Sequence, residues 1–452
     1  MIGAAGDGRS AAGQRMVVEE MKDWGWRLRA ARAERGLTED ALAGEMRRWA
    51  ELLGTPRPEI TANAIADWEG GARPLDQGAL RLLWLALETP GCGWSDPDVD
   101  VWSLFRPARR PSSDRERRLD FLRFAASMGQ PAALDPERLD AVLDETVRVD
   151  QRVVEGLALV SRQFNRRWGT EPPHVVRRDV HAHLEVLLTL LDAPMGGDMR
   201  SDLASAAATA AVFAGHVAIL VGRPDPAAVY LEIAQRLARQ VADAEAEAMG
   251  LLISSHLFSL VCPARPGGDP ARAQELLEAA DDRLSRTTAP VANAWVLLRE
   301  AEEVAGRDER TAFRLMDEAD RLVLRAGRMP ADGLCSRWSM DLNVAYRGNV
   351  SVLAGHPERG IPLLEAALAA LPRELIATRP MATADLGGAY ALQGEVDHAC
   401  ALLTQALTQA VAAGLPEPLN RVRRVRAQRL AAHAGAGPVR ELDERLQALS
   451  AQ

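Results

Sequence analysis

The chain has 452 residues, 47% hydrophobic and 26% charged, with only three tyrosines and seven phenylalanines. That length exceeds what one hydrophobic core organises, and the Ala-, Leu- and Arg-rich balance with short β-branched runs leaves little material for a sheet, so several all-α domains are expected. A net charge of −9 excludes a chain that coats nucleic acid along its whole length, although a small DNA-binding module can sit on an acidic body.

Residues 1–20 are rich in Gly, Ala and Ser without apolar periodicity and read as a flexible tail. A first domain is expected over 21–105. Within it, Arg27 to Arg35 form an amphipathic helix stopped at Gly36, and Thr38 is a good N-cap followed by Glu39 and Asp40 in the first turn. A second helix follows with Leu42, Met46 and Trp49 or Leu53 inward. Thr61 caps a third, short helix with Ile65 and Trp68 inward and Ala62, Asn63, Ala64, Ala66 and Asp67 outward. The tryptophans at 24, 26, 49, 68 and 84 track buried faces rather than base-stacking platforms.

The stretch through Gly36-Leu37-Thr38, the segment Thr61 to Gly71 and the following Arg73-Pro74 resemble the Cro/C1-type (XRE-like) helix-turn-helix family. The resemblance implies double-stranded DNA as partner. It places Thr38 and Glu39 at the backbone-contact position of the second helix, and Thr61, Ala62, Asn63, Ala64 and Asp67 on the recognition helix, with Arg73 a phosphate contact. Asn63 fits a bidentate contact to adenine or an exposed helix residue; Asp67 fits acceptance from a cytosine amino group or an ion pair with a neighbouring arginine. The path from Leu42 to Ile60 spans 18 positions where the family commonly uses six, so the second helix is lengthened or a loop through Gly54 to Pro58 is inserted. Residues 22–88 hold ten Lys/Arg against eleven Asp/Glu, a net of −1, which is poor for the electrostatic part of DNA affinity. Both Glu39 and Asp67 would repel phosphate.

Residues 106–118, RPARRPSSDRERR, carry six arginines and two acids, a net of +4, and read as a basic linker. A second domain is expected over 119–452. It opens with a long helix from Asp135-Pro136, followed after Glu171-Pro172-Pro173 by VVRRDVHAHLEVLLTLL at helical spacing. His181 and His183, two apart, separate on a helix and do not form a metal pair.

Beyond them one spacing recurs: Gly222, Ala227, Leu231, Ala234; Gly355, Gly360, Leu364, Ala367; Gly394, Ala399, Leu403, Ala406. Its later part returns as Ala273, Leu277, Ala280 and as Ala312, Met316, Ala319. Small residues allow two antiparallel helices to approach closely, and the glycine ends the first helix of each pair. The copy LGGAYALQGEVDHACALLTQA, with Leu386, Gly387, Tyr390, Ala399, Leu403 and Ala406, resembles a tetratricopeptide repeat. The alanine-equivalent positions step by 39 to 48 residues, longer than the usual ~34, so the fold class expected is a small helix-turn-helix domain followed by an α-solenoid of divergent tetratricopeptide-like hairpins.

First helices of such hairpins line a concave surface. Alignment puts His216, Asn293, Glu300, Glu303, Asn343 and Asn349 on or near that lining, with Trp295 and Trp338 as apolar walls, suited to a peptide or protein ligand or to no ligand at all. The arginine run 421–429 reads as the exposed face of a terminal capping helix. Cys92, Cys262, Cys335 and Cys400 are widely separated and form no CxxC pair, and MIGAAGDGRSAAGQR lacks a signal-peptide core. No stretch approaches ~18 uncharged apolar residues, so a cytoplasmic chain with free thiols is expected. With no phosphate loop, HExxH, nucleophile elbow or paired carboxylates, neither catalysis nor a cofactor or metal is expected. Together the halves resemble the multi-repeat XRE-like regulators common in actinobacteria, which implies a homodimeric transcriptional regulator whose repeats sense a peptide, small molecule or protein. The alternative is an interaction module that sequesters another regulator and has little DNA affinity.

Overall fold

A computed structural model describes residues 25–87 and 136–450, apart from 26–27, 30, 34–35, 53–55, 74, 144–147, 168–170, 172, 262–267, 286 and 328–332. The expected tail 1–20 and basic linker 106–118 lie outside the described residues, as do Cys92 and Cys262. The chain divides into two compact units, Met1–Asp120 and Phe121–Gln452. Every regular element among the described residues is helical apart from an isolated bridge at Glu171.

In the first unit, helical residues between 25 and 33 stop at Gly36, whose φ of +65° a side chain would resist. The Thr38 hydroxyl accepts from the Ala41 amide at 3.1 Å and starts α1, Glu39–Leu52. Leu42, Met46 and Trp49 are buried, as the periodicity requires. Thr61 accepts from the Ala64 amide at 3.2 Å and starts α2, Ala62–Glu69. Asp76 accepts from Ala79 at 2.8 Å at the start of α3, Gln77–Leu87. α1 packs on both α2 and α3. Between α1 and α2 the chain both lengthens the helix to 14 residues and inserts a segment through Pro58, the two ways of accommodating the long Leu42-to-Ile60 path.

Two expectations about helix faces need correction. Ala64 is buried at 4% exposure: Ala64, Ile65, Trp68 and Glu69 form one inward stripe at spacings of one, three and four, so Ala64 faces the core and not outward. The long helix expected from Pro136 is described over α4, Pro136–Leu143, and beyond 144–147, which lie outside the described residues, a fresh helix α5, Gln151–Arg167, begins where the Asp150 carboxylate accepts from Val153 at 3.1 Å.

The second unit continues with α6 (Pro173–Leu191) and then helical hairpins: α7 (Gly197–Leu220) with α8 (Pro224–Gln240), α9 (Ala244–Ser255) with α10 (Pro270–Leu284), and α11 (Pro290–Val304) with α12 (Glu309–Ala326). They are followed by α13 (Met340–Leu353) with α14 (Pro357–Ala370), and α15 (Thr378–Leu392) with α16 (Val396–Ala413). α17 (Pro416–Arg429) and α18 (Gly437–Ser450) complete the chain. The repeated glycines do what their spacing implies. Gly222, Gly355 and Gly394 have φ of +72°, +89° and +83°, and the next residue in each case bonds back five positions: Arg223 to Ala218 at 2.7 Å, His356 to Ser351 at 2.9 Å, Glu395 to Tyr390 at 3.0 Å. The apolar residues of the pattern, from Ala227-Leu231-Ala234 to Ala399-Leu403-Ala406, are each at most 1% exposed.

Consecutive hairpins stack, and the first helices also touch one another: α7 meets α9, α9 meets α11, and so on through α13, α15 and α17. α17 then packs back on α7, with Pro416 against Gly222, so six inner helices form a ring. This overturns the reading of 421–429 as an exposed capping face. Arg421 is 5% exposed and bonds Asp385 at 2.6 Å, while Arg426 bonds Asp443 of α18 at 2.7 and 2.6 Å.

α7 also corrects the hydropathy reading. It is long and apolar enough to cross a membrane, with a mean hydropathy of 1.8, but 83% of that window is buried inside the protein. Its alanines sit between α5, α6, α8 and α9, which is why a core helix here carries so few charges.

Candidate functional site

In the first unit the exposed residues around α2 are Thr61, Asn63, Ala66 and Asp67, with Ala62 half-buried. Their helix is anchored from behind by Ile65 and Trp68 and by Glu69, whose side chain is 1% exposed. Arg32 donates to both Glu69 oxygens at 2.6 and 2.9 Å, to Glu39 at 2.5 Å and to the Leu37 carbonyl at 2.7 Å. Arg29 adds a bond to Glu69 at 3.2 Å. The hydrogen bond to Glu69, outweighing burial, holds the Arg32 guanidinium above its ordinary range.

Glu39, expected to repel phosphate, is therefore tied to Arg32, which it shares with Glu69. Asp67 is exposed and has no ion-pair partner among the described residues. Arg73 is exposed, with its guanidinium 6.0 Å from the Trp68 ring centre, within cation–π range. Thr38 and Thr61 are exposed but already engaged as helix caps.

In the second unit, the inner helices line a partly open cavity of about 160 Å³. Of the residues expected in a groove, His216, Trp295, Trp338 and Asn349 line it together. Their rings form one wall: His216 lies edge-on to Trp295 at 5.8 Å, Trp295 tilts on Trp338 at 5.2 Å, and Trp338 stacks on Tyr346 at 5.9 Å. Asn343 stands behind that wall, accepting from the Trp338 indole at 2.8 Å and donating to Asp320 at 3.0 Å. Glu303 is likewise internal, bonded by Arg299 at 2.7 Å and by Ser259. Glu300 and Asn293 do not line the cavity. Burial, reinforced by Asp281 and Glu278, pushes the Glu300 carboxyl up to about 7, which places it toward α10. Asn293 Oδ1 is buried with no partner among the described residues.

The same cavity also has charged lining, and none of its acids is expected from the sequence. Glu302 of α11 accepts from Asn349 at 2.5 Å and from Arg299, whose side chain is fully buried. Asp385 of α15 pairs with Arg421 of α17, and Glu417 lies one turn before Arg421. Burial raises the Asp385 and Glu417 carboxyls, with Arg421 pulling the other way in both. Arg337 completes the charged lining. His216 and His256, both half-buried, line this space: desolvation pulls His216 down to about 4, and desolvation together with Arg299 pulls His256 well below its usual range.

A larger cleft of about 790 Å³ opens near Asp202, Asp243 and Cys335. There Asp243 accepts from Ser205 and caps α9, and burial pushes the Cys335 thiol up to about 12. His181 and His183 turn to different partners, Tyr230 at 2.7 Å and Ser161 at 2.8 Å. Among the described residues no group of three His, Cys, Asp or Glu could hold a metal ion. Comparison with protein-family models and with curated proteins finds no match.

Proposed function

We propose that the chain is a transcriptional regulator of the XRE-like helix-turn-helix type, with α1 and α2 as the DNA-reading pair and the tetratricopeptide-like ring as its sensor. The observation that carries this reading is α2: a short, side-chain-capped helix held rigid by the buried Arg32–Glu69 pair, presenting Asn63 and Asp67 outward with Thr38 and Arg73 also exposed. Rigid presentation of a few polar side chains is what base readout needs. A homodimer would supply two such helices and the phosphate contacts that a unit of net −1 lacks. Localisation in the cytoplasm and action without a cofactor follow from the same proposal.

The second reading is a module that sequesters another regulator, favoured by one observation: Asp67, exposed and without an ion-pair partner among the described residues, presents an acid on the face that would meet phosphate. Binding of purified full-length protein to genomic fragments at several salt concentrations separates the two. Discrete sites whose affinity falls steeply with salt support the regulator; uniformly weak or absent binding refutes it.

A further inference from the structure

We propose that Glu417 is a proton-operated latch on the helix ring: as a neutral acid it seals the contact of α17 with α7, and losing its proton loosens that contact. The inference goes beyond the regulator reading and does not depend on it.

The geometry of the closure carries it. Pro416, the first residue of α17, is the residue that packs on Gly222 at the end of α7, and Glu417 follows it directly. Glu417 is 5% exposed, and its Oε2 is buried without a hydrogen-bond partner among the described residues. Four carboxylates, Glu302, Glu303, Asp385 and Glu417, are buried here with two guanidiniums, Arg299 and Arg421. Both guanidiniums are committed elsewhere: Arg421 to Asp385 at 2.6 Å, and Arg299 to Glu303 at 2.7 Å and to Glu302. Arg424, half-buried on the same helix, donates to the Leu260 carbonyl at 3.3 Å. No ion pair holds Glu417 among the described residues. A buried carboxylate without a paired donor is costly as an anion and far less so as an acid. Arg421, Arg424 and Arg299 favour the charged form and Asp385 opposes it, but removal from water outweighs them and raises the carboxyl. The closed ring therefore keeps the proton on Glu417, and an opened ring, where water reaches the side chain, releases it.

The other groups around the latch do not imitate it. His216 on α7 is held down to about 4 and His256 at the end of α9 well below its usual range, so both are neutral from about pH 5 upward. Arg223, buried next to Gly222, and Arg337 in the cavity lining keep their charge throughout. On the side of α18, Arg426 is paired with Asp443. An opening that releases one proton grows about tenfold per pH unit above the unfolded glutamate value of ~4.3, until the closed form itself ionises. Closure is thus fully stabilised by this group at low pH and loses that stabilisation as pH rises.

The test is amide hydrogen exchange of the full-length chain and of Glu417→Gln at several values from about pH 5 to 6.5, corrected for intrinsic exchange and read at α17 and at the C-terminal end of α7. Glutamine keeps the shape of the neutral acid and has no proton to lose. Protection in the wild type relative to the variant should therefore fall by up to about tenfold per pH unit in those two helices and stay constant in α2. Glu300 and the histidines are present in both proteins and cancel in the ratio. A ratio that is flat, or that rises with pH because the native carboxyl is already ionised and held by its arginines, overturns the proposal. Glu417→Met, apolar and of similar length, repeats the comparison if the glutamine variant does not fold. A measurement without any change at 417 stands beside them: infrared spectra of Glu300→Gln protein isotopically labelled at its glutamate carboxyls should show a protonated carboxyl band at about pH 6, and its absence overturns the latch.

Discussion

Replacing Gly348 by alanine tests the close helix approach inside a hairpin. A Cβ there would lie 2.7 Å from Leu364 Cγ, 3.0 Å from its Cδ2 and 3.2 Å from its backbone nitrogen. Carbon pairs prefer ~3.5–4.0 Å, so the overlap with Leu364 amounts to roughly an ångström. A rotamer change clears the side chain but not the backbone nitrogen, and α13 and α14 must separate. Overpacking of this kind costs about 1–3 kcal/mol, set against a gain of up to ~1 kcal/mol from removing a glycine inside a helix. The net expectation is destabilisation by up to ~2 kcal/mol. Gly44→Ala is the control: its Cβ would meet only the tip of Arg47 at 4.0 Å, so the helix gain stands alone. Urea unfolding followed by circular dichroism reads both, and Leu364→Ala in each background reads the coupling. If Gly348→Ala stabilises the protein as Gly44→Ala does, or if the two changes at 348 and 364 prove additive, the close-approach argument is wrong.

Asn63→Ala should weaken specific DNA binding by ~1–3 kcal/mol and relax preference at one base position; an unchanged specificity profile in a folded variant removes Asn63 as a reader. Asp67→Asn should tighten binding to all sequences, more at low salt, whereas weaker binding would mark a base contact. Glu39→Gln should destabilise the first unit without a comparable gain in affinity, because it removes a partner of Arg32 and not a free charge; melting of the variant checks this. Two half-buried groups should give opposing pH dependence. His216 is held down to about 4 from 6.5, so its stabilising contribution is full above pH 6.5 and is lost as pH falls toward 4. Glu300 is held up to about 7 from 4.5, so its contribution is full below pH 4.5 and lost as pH rises through 7. Stability of His216→Phe and Glu300→Gln across that range should each flatten one limb.

The repeat pattern was legible because it is written in small residues with tight steric requirements. Gly222, Gly355 and Gly394 need a positive φ, and Ala399 or Leu403 must fit one particular gap, so spacing alone locates the turns and the buried face. The caps Thr38 and Thr61 were legible for the same local reason. The cavity was half legible. Its aromatic wall lies on helices whose alignment is local, but Glu417 and Arg421 are four apart, the spacing of an ordinary solvated ion pair. Only contact between helices far apart in the chain reveals that they point inward. Ala64 was misplaced because a small residue gives no hydrophobic contrast at the edge of a helical stripe, and the buried position of Glu69 depends on Arg32, 37 residues earlier.

The return of α17 onto α7 changes how this array should come apart. A linear stack of repeats has two frayed ends, and unfolding can start at either and proceed unit by unit. A ring has no end: opening it at the α7–α17 contact frees no hairpin unless a second neighbouring contact also breaks, so the inner six helices should lose structure together, as one cooperative block. The same closure makes α17 indispensable to the first hairpin. Deleting α17 and α18 would strip Pro416 from Gly222, withdraw the counter-charge from Asp385 and leave the apolar end of α7 facing water, so damage made at the C-terminus would be felt first some 200 residues away.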